Sequence, residues 1–255
     1  MAAIKISVIN ASSVVNEADA KRTVAALQKQ VHEDFYPVWG IDADLTYMPA
    51  KSKPPAGSWW LVILDDSDQA GALGYHDLTQ EGLPLGKVFA KSDKEVGDKW
   101  SVTASHELLE MLADPDINLT ALVENSETKG RLYAYEVCDA CEADNDGYDI
   151  DGVRVSNFVY PAWFESFRKQ GSTQFDHGKQ IDAPFKLRPG GYIGVFDIKS
   201  GTGWAQIYGS KAMTYRMRPR VGSRRERRKI ERDHWLPSTP QTAAVIREAM
   251  AGSAK

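Results

Sequence analysis

Apolar and polar positions alternate with two different periods along this chain, and the periods predict its elements. Residues 4–9 alternate and are β-branched, which predicts a first strand. Val24, Leu27, Val31 and Phe35 then recur at helical spacing, predicting a helix from a cap at Ser13 or Asn16 to about Phe35. Residues 44–48 predict a second strand. Beyond the proline-glycine loop at 51–57, residues 59–65 (WWLVILD) are almost wholly apolar, as in a central strand covered on both faces. Residues 71–76 and 87–90 predict two more short strands on either side of the Gly82-Leu83-Pro84 turn. The period returns to 3.6 over residues 100–116, where Val102, Leu108, Leu109, Met111 and Leu112 form an apolar stripe. Ser101 or Thr103 is available to cap that helix, and Asp114-Pro115 ends it, because the residue before a proline disfavours helical geometry.

The second half predicts mostly strands. Residues 131–137 (RLYAYEV) alternate and deliver Glu136, Cys138 and Asp139 at the strand's end, where loops tend to carry sites. Residues 153–160, 192–198 and 204–208 predict further strands, residues 161–164 a short aromatic helix, and residues 171–184 a polar loop. A short helix is expected over 242–250. The expected class is α+β: a mixed sheet with a helix carrying the chemistry, in one domain over 1–210, and a basic extension over 211–255.

Composition refines this picture in three ways. A chain of 255 residues with 42% hydrophobic and 26% charged residues has ample core for one large domain. No apolar run approaches the ~18 residues of a membrane span, and the start lacks a secretory signal. With two cysteines a disulfide scaffold is not expected. The expectation is a soluble, cytoplasmic protein with no membrane partner. The net charge of −4 conceals an asymmetry: residues 211–232 hold ten Lys or Arg against Glu226 and Glu231. An acidic body therefore carries a basic segment.

The candidate chemistry is concentrated in WSVTASHELLEMLADPD. His106-Glu107-Leu108-Leu109-Glu110 reads H-E-x-x-E, and on a helix His106 and Glu110 lie one turn apart on one face, able to address a single ion. Glu107 sits about 100° round the helix, where a general base beside that ion would be placed.

This segment resembles the active helix of the zincin metallopeptidases, whose H-E-x-x-H differs by one letter. More narrowly, the pattern S-H-E-L-x-E-x-x-x-D-P followed by E-x-C-D resembles a set of bacterial, fungal and plant zincin-like proteins that includes the exordium (phosphate-induced) family. It rests on Ser105 to Glu110, Asp114, Pro115, Glu136, Cys138 and Asp139, and covers about a quarter of the chain. It departs from the zincin pattern at Glu110, which stands where zincins have their second histidine. The resemblance implies a zincin-like fold and hydrolysis of a peptide or protein substrate, with Glu107 as general base. It also implies an extended substrate pairing with a cleft strand, for which residues 71–75 or 87–92 are the candidates.

A catalytic ion needs three protein ligands and one open position. His106 and Glu110 supply two, and Asp114, Asp116, Glu136 and Asp139 are the candidates for the third. Asp116 has metzincin-like spacing, but the sharp turn made by glycine in that family falls here at Ala113. The resemblance favours Glu136 and Asp139. Zinc is the first choice of metal, while a carboxylate-rich set also admits manganese, iron or calcium. His76 could add a second imidazole, although a sheet-edge histidine is more often simply hydrogen-bonded.

Other motifs carry less. Cys138-x-x-Cys141 lacks the second pair that a four-cysteine zinc site needs, and reads as a buried thiol pair. Residues 144–152 resemble a calcium loop but fail the EF-hand template, leaving an irregular calcium site or a solvated acidic turn. The basic segment admits nucleic acid as a partner, with a solvated helix as the simpler reading. The rival to the peptidase is a non-catalytic module that keeps the zincin frame for binding or structure.

Overall fold

The computed structural model describes residues 4–69, 72–126, 129–199 and 203–209. The basic segment and the helix expected over 242–250 lie outside the described residues.

The first half builds one mixed sheet. Strands β1 (Ile4–Asn10), β2 (Ala43–Pro49) and β3 (Trp59–Leu64) run parallel, with β1 between the other two. Strand β4 (Gly74–Leu78) is antiparallel to β5 (Pro84–Phe89), which is parallel to β3, so the order is β2-β1-β3-β5-β4. The apolar run of β3 is explained by two cores. Leu61 and Ile63 enter the main core, whereas Trp60, Val62 and Leu64 join Ile9, Tyr75, Leu85 and Phe89 on the opposite face.

Helix α1 (Glu17–Lys29) starts where the sequence predicts, with Asn16 accepting the Asp19 amide. It runs on through a wider π-helical turn (Gln30–Phe35) into a last turn, α2 (Tyr36–Trp39), which ends at Gly40 in the left-handed region at φ 70°. The π turn contains the buried Gln30. Its amide donates to the Ser156 carbonyl at 2.9 Å and accepts from Ser105 Oγ at 2.6 Å, tying the first helix to the H-E-x-x-E helix.

A short helix, α3 (Ala90–Val96), follows β5, where the sequence predicts a strand as far as residue 90 and no element between it and the helix at 100. Its AKSDKEV has no apolar period to announce it, and Gly97 at φ 85° closes it. Helix α4 (Trp100–Ala113) carries the H-E-x-x-E motif and ends at Asp114 as predicted. Its start is not capped by Ser101 or Thr103. Ser101 Oγ donates to the Arg154 carbonyl at 2.7 Å and Thr103 Oγ1 to Asp93 at 2.8 Å, while Asp144 accepts the Lys99 amide at 2.8 Å. Helix α4 is buried nearly all round, packed against β3, β4, β5 and α3.

The second half adds an antiparallel sheet in the order β11-β10-β7-β6, from β6 (Thr120–Ser126), β7 (Lys129–Ala134), β10 (Tyr192–Asp197) and β11 (Trp204–Tyr208). A two-stranded ribbon, β8 (Tyr148–Ile150) with β9 (Val153–Val155), packs on α4. The strand expected over 153–160 therefore shortens to β9, and beyond it a single bridge joins Val159 to Asp176. The fold is α+β, as the sequence implies. No helix among the described residues is long and apolar enough to cross a membrane.

Candidate metal centre

Period and pleat bring the site together. His106 and Glu110 share one face of α4 through their four-residue spacing. On β4, alternation sends Tyr75 to the second core and leaves Gly74 and His76 facing α4. Gly74 permits this close approach. A β-carbon built there would lie 2.6 Å from Thr103 Cγ2 and 2.9 Å from Glu107 Cγ. After β7, the chain brings Glu136 to the site, and a 3₁₀ turn (Asp139–Cys141) presents Asp139.

The resulting geometry is compact. His106 Nε2 lies 3.1 Å from Glu110 Oε1 and 3.2 Å from Asp139 Oδ1. His76 Nδ1 lies 3.6 Å from Glu107 Oε2 and 3.7 Å from Glu110 Oε2, and its Nε2 is 4.0 Å from Glu136 Oε2. All six side chains are buried, Glu110 completely. Glu110 Oε1 also accepts the Cys138 amide at 3.3 Å, which steadies the carboxylate. Beside them is a cavity of about 30 Å³ lined by Gly74, Thr103, His106, Glu107, Glu142 and Asp144, among others. That volume exceeds the minimum for a water molecule.

Electrostatics follow from the burial. Desolvation alone would lower the pKa of His106, but the charges of Glu110 and Glu107 and the contact with Asp139 outweigh it, holding the imidazole well above its usual value. Burial together with Glu110 pushes the Cys138 thiol well up, so it stays a neutral thiol and not a reactive thiolate.

The residues present fit a cation. His106 Nε2 is buried and close to two carboxylate oxygens, yet neither oxygen sits in hydrogen-bond geometry with it. Ligand bonds of ~2.1 Å arranged tetrahedrally place neighbouring ligand atoms ~3.4 Å apart. The separations of 3.1 to 4.0 Å here fall around that value, and those above 3.5 Å are too long for hydrogen bonds. These buried His and carboxylate groups could hold a metal ion.

Of the sequence candidates, His106, Glu107, Glu110, Glu136 and Asp139 are brought together. Asp114 and Asp116 are not part of this cluster. Asp114 accepts the Asn118 and Leu119 amides at the end of α4, and Asp116 is exposed. Two contributors carry little signal in the sequence. His76 is legible only once β4 is known to lie against α4, and Glu142 looks like part of an acidic loop. Three other acids of that loop are occupied elsewhere: Asp146 binds Arg188, Asp149 binds Arg154 and Asp151 binds Lys29. Cys138 and Cys141 are free and buried, as expected of a thiol pair. Of the two candidate cleft strands, β4 stands at the sheet's edge, whereas β5 is paired on both sides and excludes the alternative at 87–92.

Comparison with known proteins finds no matching family model, no matching curated protein and no matching solved structure.

Proposed function

We propose that this protein is a metal-dependent hydrolase of the zincin type acting on peptide bonds. The observation that carries the reading is that His106 Nε2 lies within 3.2 Å of a carboxylate oxygen from each of Glu110 and Asp139, with Glu107 lining the adjoining cavity. His106, Glu110 and Asp139 would hold the ion, with zinc the first choice for such a set. When bound, the ion supplies Lewis acidity, which activates water and polarises a carbonyl. Glu107, which lines the cavity beside the site, would take the proton from the attacking water and return it to the leaving amine. Strand β4, antiparallel at the sheet's edge, supplies backbone to align an extended substrate.

A second reading has its own observation. The cavity holds little more than a water and the ligands are almost fully buried, which suits an ion that braces the fold. Paired substitutions separate the two readings. In the enzyme, Glu107→Gln keeps metal content and melting temperature but lowers cleavage of a mixed peptide library by about 10²- to 10⁴-fold. Glu110→Gln loses metal in either case. A parent that binds metal and cleaves nothing establishes the bracing role, and metal content unchanged in both His106→Ala and Glu110→Gln rejects the centre itself.

A further inference from the structure

Two sets of ligand atoms meet at this site. His76, Glu110 and Glu136 form one, and His106, Asp139 and Glu142 the other, each with its atoms within 4.8 Å of one another. Glu110 touches both. Its Oε2 faces His76 Nδ1 at 3.7 Å and its Oε1 faces His106 Nε2 at 3.1 Å.

We infer that the centre holds two divalent cations bridged by the Glu110 carboxylate, with His76 and Glu136 completing the second position. This rests on the metal-dependent reading above and extends it from one ion to two.

Three observations carry the inference. Each oxygen of Glu110 is directed at a different imidazole, as in a carboxylate that spans two ions. His76, Glu110 and Glu136 each offer one ligand atom within 4.8 Å of the other two, a spacing that suits ligands sharing an ion between them. The third is the buried His106 Nε2, aimed at two oxygens and hydrogen-bonded to neither. The supply of ligands agrees with the count: Glu107, Glu110, Glu136, Asp139 and Glu142 gather five carboxyl groups around two imidazoles. Paired ions ~3.5–4 Å apart serve hydrolytic reactions by stabilising both the attacking and the leaving group. Glu110 also explains why the second zincin histidine is absent: an imidazole nitrogen cannot bridge two ions as a carboxylate does.

The test uses the full-length chain, stripped of metal and reloaded with Mn²⁺ or Zn²⁺, with bound metal measured by mass spectrometry. Two equivalents per chain are expected. His76→Ala and Glu136→Gln should each retain one, and the second variant covers failure of the first to fold. The Mn²⁺-loaded parent should give a spin-coupled electron paramagnetic resonance spectrum that becomes a single-ion spectrum in Glu136→Gln. One equivalent in the parent, lost in His106→Ala and kept in Glu136→Gln, overturns the inference and leaves the single-ion hydrolase standing. One equivalent kept in His106→Ala but lost in His76→Ala overturns both assignments, as does a parent that binds no metal.

Discussion

At the level of single residues, carboxylates in this protein divide into those that address the site and those that hold the chain in shape. Asp65, at the end of β3, belongs to the second kind. It accepts Ser12 Oγ at 2.6 Å and, from Ser13, the amide at 2.8 Å and Oγ at 2.6 Å. Partial burial raises its pKa, but these hydrogen bonds outweigh that effect and leave it below the ordinary value. A depressed folded-state pKa contributes stability above the unfolded-state pKa, and that stability is lost as pH falls through the folded-state value. Asp65→Ala should therefore cost ~1–2 kcal/mol at pH 7. The difference from the parent should shrink below about pH 4, and denaturant unfolding at both pH values checks it. A constant difference across that range would show that ionisation of Asp65 does not contribute. The same chemistry explains Asp114: its sequence position suits a ligand, but the amides of Asn118 and Leu119 hold it.

At the level of elements, the contact between β4 and α4 decides whether the site exists. Gly74 leaves no room for a β-carbon between strand and helix, since Thr103 and Glu107 already occupy that space. Gly74→Ala should cost ~1–3 kcal/mol through overpacking and should also reduce metal content, because Glu107 and the helix must move. Gly82→Ala is the control. Gly82 has a positive φ but nothing within 4 Å of an added β-carbon, so its cost is backbone strain without disturbance of the centre. Equal metal content in the two variants would contradict the role given to this packing. Helix α4 was legible from its 3.6-residue period, yet its capping was not. Ser101 and Thr103 are suitable cap residues by type, but partners on β9 and α3 occupy their hydroxyls.

At the level of the whole molecule, the centre joins both halves of the fold. His76, His106, Glu107 and Glu110 come from the first sheet and its helix, while Glu136, Asp139 and Glu142 follow β7 of the second. An ion held between them would cross-link segments distant in sequence and stabilise the folded state by mass action. Free metal at 1,000 times its dissociation constant adds ~4 kcal/mol. For a domain of this size that corresponds to roughly 10 °C in melting temperature. Chelation should lower the melting temperature of the parent by about that much and should lower that of His106→Ala by less. An equal fall in both would place the chelator's action elsewhere.

The sequence by itself determined the elements whose signal is local. The apolar period of α4, the Asn16 cap of α1, the wholly apolar β3 and the Asp114-Pro115 stop all depend on neighbours within a few residues. It also determined how His106, Glu107 and Glu110 lie relative to one another, because helical spacing alone sets them on their helix. Tertiary structure decided the rest. His76 becomes a candidate ligand only when β4 pairs antiparallel to β5 and turns one face to α4. The choice among Asp114, Asp116, Glu136 and Asp139 follows from where the chain returns after β7, thirty residues beyond His106. Helix α3 and strand β6 were hidden for the same reason. Their residues carry little periodicity of their own and take their form from what they pack and pair with, which no local pattern encodes.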